Sequence, residues 1–160
     1  MTTKNNTYFE RNNNQINIAE EKVEEYFRFK DFFYTRLGFD EKAENIPSNM
    51  FKHIPKFIRN MPDGLLIDSN KKAWLVEIKG CKDTLHLKHS DCKEYKLWMQ
   101  KSEIPLILYL YSSTYREIKA FSITDLTEKA QKFPQGRYDD SKKTYWKIHW
   151  SNLSNYLKGS

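Results

Sequence analysis

The strongest constraint on the fold is a short stretch near the middle of the chain, Ala73-Trp74-Leu75-Val76-Glu77-Ile78-Lys79. Residues 73–78 carry apolar side chains at odd and even positions alike, so an extended strand there is apolar on both faces. Such a strand belongs inside a sheet covered by helices rather than at its edge. Glu77 and Lys79 then stand on one face, and Trp74 is expected in the core on the opposite face. A carboxylate and an ammonium at the end of an apolar strand are costly to bury unless they pair or bind something.

The segment upstream supplies a partner for them. Pro62-Asp63-Gly64 enters a second apolar run at 64–67, and the polar residues 68–71 turn the chain back, which predicts a hairpin. Thirteen residues separate Asp63 from Glu77. Pairing of the two strands lets both carboxylates share a divalent ion, with the backbone carbonyl of Ile78 as a further oxygen ligand. Mg²⁺ suits such a set, because it takes hard oxygen donors, commonly one or two carboxylates with waters and substrate phosphate. An ion there would polarise a phosphate, and Lys79 would orient a water or stabilise the developing charge. The plain alternative is a solvated Glu-Lys pair at a strand end, since acid-x-Lys triplets are common.

The remaining pattern places these strands in a mixed α/β sheet. Val23, Phe27, Tyr34 and Leu37 recur at helical spacing and predict one amphipathic helix over 18–36, capped by Gly38. Residues 40–55 read as irregular. A helix over 90–101, with Ser90 as cap and Cys92, Tyr95, Trp98 and Met99 facing inward, precedes an apolar strand at 104–111, which makes this strand and 73–79 candidate parallel neighbours. A strand at 117–123, a short helix through Leu126, Ala130 and Phe133, and a late strand with Trp146, Ile148 and Trp150 complete the order. Leu153, Tyr156 and Leu157 suggest a terminal turn. A flexible arm over 1–15 and one domain over 16–158 account for the length.

Asp63, Glu77-x-Lys79 and the proline before Asp63 form a pattern that resembles the PD-(D/E)xK nuclease superfamily. The resemblance spans about 18–123 and rests on short motifs in a particular order of elements. It implies a restriction-endonuclease-like central mixed β-sheet flanked by helices, and a deoxyribonuclease dependent on Mg²⁺ or Mn²⁺, with an endonuclease favoured over an exonuclease. It also implies a further metal-binding glutamate on the first helix. Glu20 is the preferred candidate, with Glu24 nearly as well placed; Glu21 and Glu25 fit a solvated first turn better. The implied catalytic set is Glu20, Asp63, Glu77 and Lys79, and the implied metal ligands are Glu20, Asp63, Glu77 and the Ile78 carbonyl. RecB-like members carry Gln and Tyr four residues apart on the helix after the lysine strand; here the pair is Asp91 and Tyr95, a departure from that subfamily. DNA is the expected partner, and a homodimer is left open, since resolvases and many restriction enzymes pair to cut two strands.

A net charge of +6 is compatible with a polyanionic partner. Lys82, His86, Lys88, His89 and Lys93, expected in the loop after Gly80 and the next helical turn, could hold a phosphate backbone or form a solvated face. Lys52, His53, Lys56 and Arg59 make a second candidate rim. Trp146 and Trp150 are read as packing residues rather than base-stacking ones. Two cysteines, Cys81 and Cys92, form neither a disulfide framework nor a metal pair, and the four histidines lack zinc-site spacing. No apolar run reaches the roughly 20 residues needed to cross a bilayer. A cytoplasmic protein with no membrane association is expected. An alternative function is a nucleic-acid-binding protein that keeps the nuclease scaffold without turnover, and a third is an interaction domain with an incidental ion pair.

Overall fold

The strand Leu106–Ser112 is buried at every position, and its two faces feed two separate cores. The computed structural model describes residues 8–38 and 47–153. In chain order the elements are α1 (Tyr8–Phe29), β1 (Phe33–Arg36), α2 (Ser48–Phe51), α3 (Lys56–Arg59), β2 (Gly64–Ile67), β3 (Ala73–Cys81), β4 (Thr84–Lys88), α4 (His89–Ser102), β5 (Leu106–Ser112), β6 (Glu117–Ser122), α5 (Ile123–Ala130), β7 (Gln135–Arg137), β8 (Thr144–His149) and a 3₁₀ turn, Trp150–Asn152.

The main sheet has five strands in the order β1-β2-β3-β5-β6. Its β3–β5 pair is parallel and its other pairs are antiparallel. This is the central strand and helical crossover expected from the sequence, with α4 on the connection. The β2–β3 hairpin also forms as expected, and its turn shows why. The Asp68 carboxylate accepts from the backbone N–H of Asn70 and of Lys72, and from the indole of Trp74 at 3.0 Å, while Lys71 takes φ 61°. An aspartate that bonds the backbone two residues on stabilises a turn locally, before any tertiary contact forms.

One face of the sheet packs on α1. Ala19, Val23 and Phe27, spaced four apart, are buried with Leu66, Val76, Ile78, Ile107 and Tyr109. The other face packs on α4, α5 and a second sheet of three strands, order β4-β8-β7, through Leu75, Leu108, Leu110, Leu85, Leu87, Tyr95 and Ile148. The result is a layered mixed α/β fold with helices on both sides of the central sheet.

Several elements differ from the sequence reading. The first helix is not continuous over 18–36: it begins at Tyr8, taking in part of the expected arm, and ends at Phe29. Its stop is a Schellman motif rather than a Gly38 cap. Phe32 N–H donates to the Phe27 carbonyl, Asp31 N–H to that of Arg28, and Asp31 takes φ 58°. Tyr34 mimicked helical spacing because it returns to the same core from β1, its ring 4.9 Å from that of Phe27. Two short helices each open after a proline, one at 48–51 inside the span read as irregular and one at 56–59 just beyond it. Residues 1–7 of the expected arm, 40–46 of that span, and Tyr156 and Leu157 lie outside the described residues.

The segment after Gly80 is strand β4 rather than a loop. Lys88, not Ser90, occupies the N-cap position of α4. Trp74 faces the α1 side as parity requires, but it is half-buried over the hairpin turn with Lys72 Nζ 4.0 Å from its ring. Trp150 is buried and donates to Glu117, and Trp146 packs inward, so both serve packing.

Phe27 joins helix stop and sheet core, touching Phe32, Tyr34 and Tyr109. Phe27→Ala is expected to cost about 3–5 kcal/mol of unfolding free energy by urea denaturation; a loss below about 1 kcal/mol would mean that α1 is not docked as described.

Candidate active site

The β2 strand stops at Gly64, opposite Val76, and so leaves the last part of β3 without a strand partner on that side. Asp63 takes over there. Its carboxylate accepts from Ile78 N–H at 2.7 Å, a side chain completing a backbone ladder. The N–H and C=O of one strand residue point to the same side, so the Ile78 carbonyl also faces the Asp63 edge. Odd-numbered residues of β3 face the other way: Leu75 N–H donates to the Pro105 carbonyl and the Cys81 carbonyl accepts from Ser113 N–H, on the β5 side. The backbone of Asp63 is itself pinned, its carbonyl accepting from Leu37 N–H at 2.9 Å.

Glu77 and Lys79 stand on the α4 face of β3, between the buried Leu75 and Cys81. Both are largely buried, with side-chain exposures of 17 % and 25 %. They lie 4.0 Å apart, but each has a closer partner from α4. Tyr95 O–H donates to Glu77 Oε1 at 3.0 Å, and Lys79 Nζ donates to Asp91 Oδ2 at 3.0 Å. Asp91 and Tyr95 are one helical turn apart, so one face of α4 clamps both members of the β3 pair.

The charges in this pocket are strongly perturbed. Burial, and then the charge of Asp63, push the Glu77 carboxyl up to about 8. Burial opposes the charge on Lys79, yet Tyr95, Asp91 and Glu77 together hold its pKa well above the usual lysine value. Burial raises the Tyr95 phenol as well, which keeps it a hydrogen-bond donor. Two carboxylates that feel each other's charge, one of them desolvated, make a site whose charge a cation would relieve. Such pairs of perturbed groups are enriched at functional sites.

The helix acids occupy the other face. Glu20 and Glu24 on α1 both meet Arg36 of β1: Glu24 Oε1 accepts from Arg36 Nε at 2.7 Å, and Glu20 Oε2 lies 3.5 Å from Arg36 Nη1. Tyr34, two residues before Arg36, lies over Gly64, where a Cβ would approach its ring to 2.3 Å. Burial raises the Tyr34 phenol, followed by the charges of Asp63, Glu24 and Glu20. Asp63 is thus felt on both faces of the sheet, by Glu77 on one and by Tyr34 on the other. Among the described residues, no three His, Cys, Asp or Glu side chains gather closely enough to hold an ion by themselves. The donor set on the β3 edge, two carboxylates and one carbonyl, suits an ion that keeps several waters, as Mg²⁺ does.

Asp91, Tyr34 and Arg36 were not singled out as site residues from the sequence. For Asp91 a signal existed: its four-residue spacing from Tyr95 puts an acid on the helix face that meets Lys79. The second basic rim is partly committed elsewhere, with Lys56 paired to Glu94 at 3.5 Å.

No protein-family model matches the chain. No curated protein matches it in sequence either. Solved structures do resemble it. The Holliday junction resolvase Hjc of Archaeoglobus fulgidus aligns over 85% of this chain and 89% of its own, with 13% identity and a TM-score of 0.52. A nuclease from a fusselovirus aligns over 96% of this chain and 90% of its own, with 11% identity and a TM-score of 0.51.

With Glu77 held near 8, the ion-free folded protein binds a proton that the unfolded chain releases above about 4.5. Stability should therefore fall as pH rises between those values, and Glu77→Gln should remove that slope and melt higher than the parent at about pH 8.5. Thermal melts across pH in chelator check this; parallel pH profiles for parent and variant would contradict it. The architecture and its likeness to these two solved structures show that the chain has a restriction-endonuclease-like fold.

Proposed function

We propose that the protein is a metal-dependent deoxyribonuclease, an endonuclease that hydrolyses phosphodiester bonds at the open edge of β3. The observation that carries this reading is a desolvated Glu77 that feels the charge of Asp63, beside a lysine that is held charged. Asp63, Glu77 and the Ile78 carbonyl would hold Mg²⁺ or Mn²⁺. Of the two helix acids we assign Glu20, the looser partner of Arg36, to that set; it would join only on leaving Arg36, since here it lies on the α1 face and does not gather with Asp63 and Glu77. A bound ion would polarise the scissile phosphate and lower the pKa of a coordinated water.

The chain's own residues have separate tasks. Ile78 N–H fixes one oxygen of Asp63, and Tyr95 fixes Oε1 of Glu77, so both carboxylates are oriented before an ion or substrate arrives. Asp91 keeps Lys79 protonated and aimed, so its ammonium is available where negative charge grows on the phosphate. Asp91 is therefore a positioning residue. The likeness to a junction resolvase makes DNA the substrate class to test first, in branched, duplex and single-stranded form, and makes a homodimer the assembly to look for.

One observation favours a second reading, a DNA-binding protein without turnover. Lys79 and both helix acids already have ion-pair partners, as they would in a scaffold that has lost its reaction. Cleavage assays in Mg²⁺ and Mn²⁺ separate the two readings. Lys79→Ala should lower the cleavage rate about 10²–10³-fold, and Asp63→Ala should abolish detectable cutting. Asp91→Asn should lower the rate less and shift its pH profile, because it acts through Lys79. Cutting by the Lys79 and Asp63 variants at the parental rate would end the nuclease reading.

A further inference from the structure

The second sheet has an inner face that belongs to the core and an outer face that the proposed chemistry does not use. Leu85, Leu87 and Ile148 point inward. The alternate positions put His86 and Lys88 of β4 beside Lys147 and Tyr145 of β8 on the outer side. There the rings form a deck. His86 and Tyr145 stack with centroids 4.2 Å apart and planes within 15°, Tyr138 lies 4.5 Å from Tyr145, and Lys88 Nζ sits 5.5 Å from the Tyr138 ring. The end of the Tyr145 ring reaches over β7 at Gly136, which has no side chain; a Cβ there would lie 2.5 Å from the ring. Burial, and then the charge of Lys147, keep His86 below the usual histidine range, so the deck is uncharged at neutral pH.

The charge on the strands of this deck has one sign. No acidic residue occurs in β4, β7 or β8, and Asp83, Asp139 and Asp140 lie in the connections. A cationic sheet face with flat rings at its centre complements a strand whose bases are unpaired: phosphates meet the lysines, and a base adds to the stack. A purely solvated basic face has no need of a glycine that makes room for the tip of a tyrosine. The deck also connects to the candidate site, since β4 runs directly into α4, whose first turn carries Asp91.

We propose that the outer face of the β4-β8-β7 sheet binds unpaired nucleotides of a DNA strand, a base stacking on the Tyr145–His86 deck and phosphates lying along Lys88 and Lys147. This rests on the nuclease reading for its choice of DNA, and it would make the second sheet the part of the molecule that selects single-stranded or branched substrates.

The test is binding of a labelled oligo-dT strand, and of a blunt duplex of equal length, to the full chain in chelator, followed by fluorescence anisotropy at several salt concentrations. Tyr145→Ala should weaken single-strand binding about 10-fold or more, while Tyr145→Phe should keep it. Gly136→Ala, which removes neither a ring nor a charge, should weaken it by displacing Tyr145. The double variant Lys88→Ala/Lys147→Ala should reduce the slope of log affinity against log salt by about 1.4. Single-strand binding at parental strength by Tyr145→Ala and by the double lysine variant, both shown folded by circular dichroism, would overturn the proposal. So would a parent protein that binds only the duplex, or no DNA at all. Because no cleavage is read, failure here is distinct from failure of the nuclease reading, which the Lys79 and Asp63 variants decide in Mg²⁺.

Discussion

Everything at the candidate site depends on the cost of holding Glu77 and Lys79 in a wall of apolar side chains. Leu75 precedes them and Cys81 follows them on the same face of β3, and the neighbouring positions of β5 are Leu108 and Leu110. An ion pair taken out of water is stable only when its remaining hydrogen-bonding capacity is met. Here α4 meets it, Tyr95 for the carboxylate and Asp91 for the ammonium. The position of α4 is therefore set by polar as well as apolar demands. Cys92 and the body of Tyr95 anchor the helix in the core, while Asp91 and the phenol of Tyr95 orient it over the strand.

The same cost explains the division of labour across the sheet. Asp63 sits at a strand end, where its carboxylate can replace a missing strand neighbour and still reach both layers. The helix acids on the opposite face are neutralised by Arg36, a β1 residue that ties an edge strand to α1. Charge is thus concentrated along one line through the end of the sheet, and the interior on either side is left to aliphatic and aromatic packing.

How much of this was legible in the sequence follows from local physics. The double-faced apolar run at 73–78, the Asp63 turn and the parallel β3–β5 pair were readable because each is set by alternation or by a short-range hydrogen bond. Helix and strand ends were less so. The chain has five glycines, and the turns at Asp31, Lys71, Glu103, Arg116 and Lys142 place charged residues in the left-handed region where glycine is the usual marker. Such turns carry no glycine signal, and sequence spacing alone therefore runs the helix that ends at Phe29 on to residue 36. Strand β4 was hidden by its charge: His86 and Lys88 drew attention, while the alternation of Leu85 with Leu87 carried the structural information. The contact between Asp91 and Lys79 is tertiary, and only the spacing from Tyr95 hinted at it.

The pairing of β4 with β8 also bears on the order in which the molecule assembles. Thr84 meets His149 and Lys88 meets Tyr145, contacts between segments far apart in the chain, whereas the β2–β3 hairpin closes within a few residues. Closing a long loop is entropically slower than closing a short one. During synthesis the central hairpin, α4 and β5 can form while Leu85 and Leu87 still lack their cover, and the second sheet completes only when β8 has emerged. The last step of folding is then the one that covers Leu85 and Leu87, and a chain interrupted before β8 would present a sticky strand rather than a finished domain.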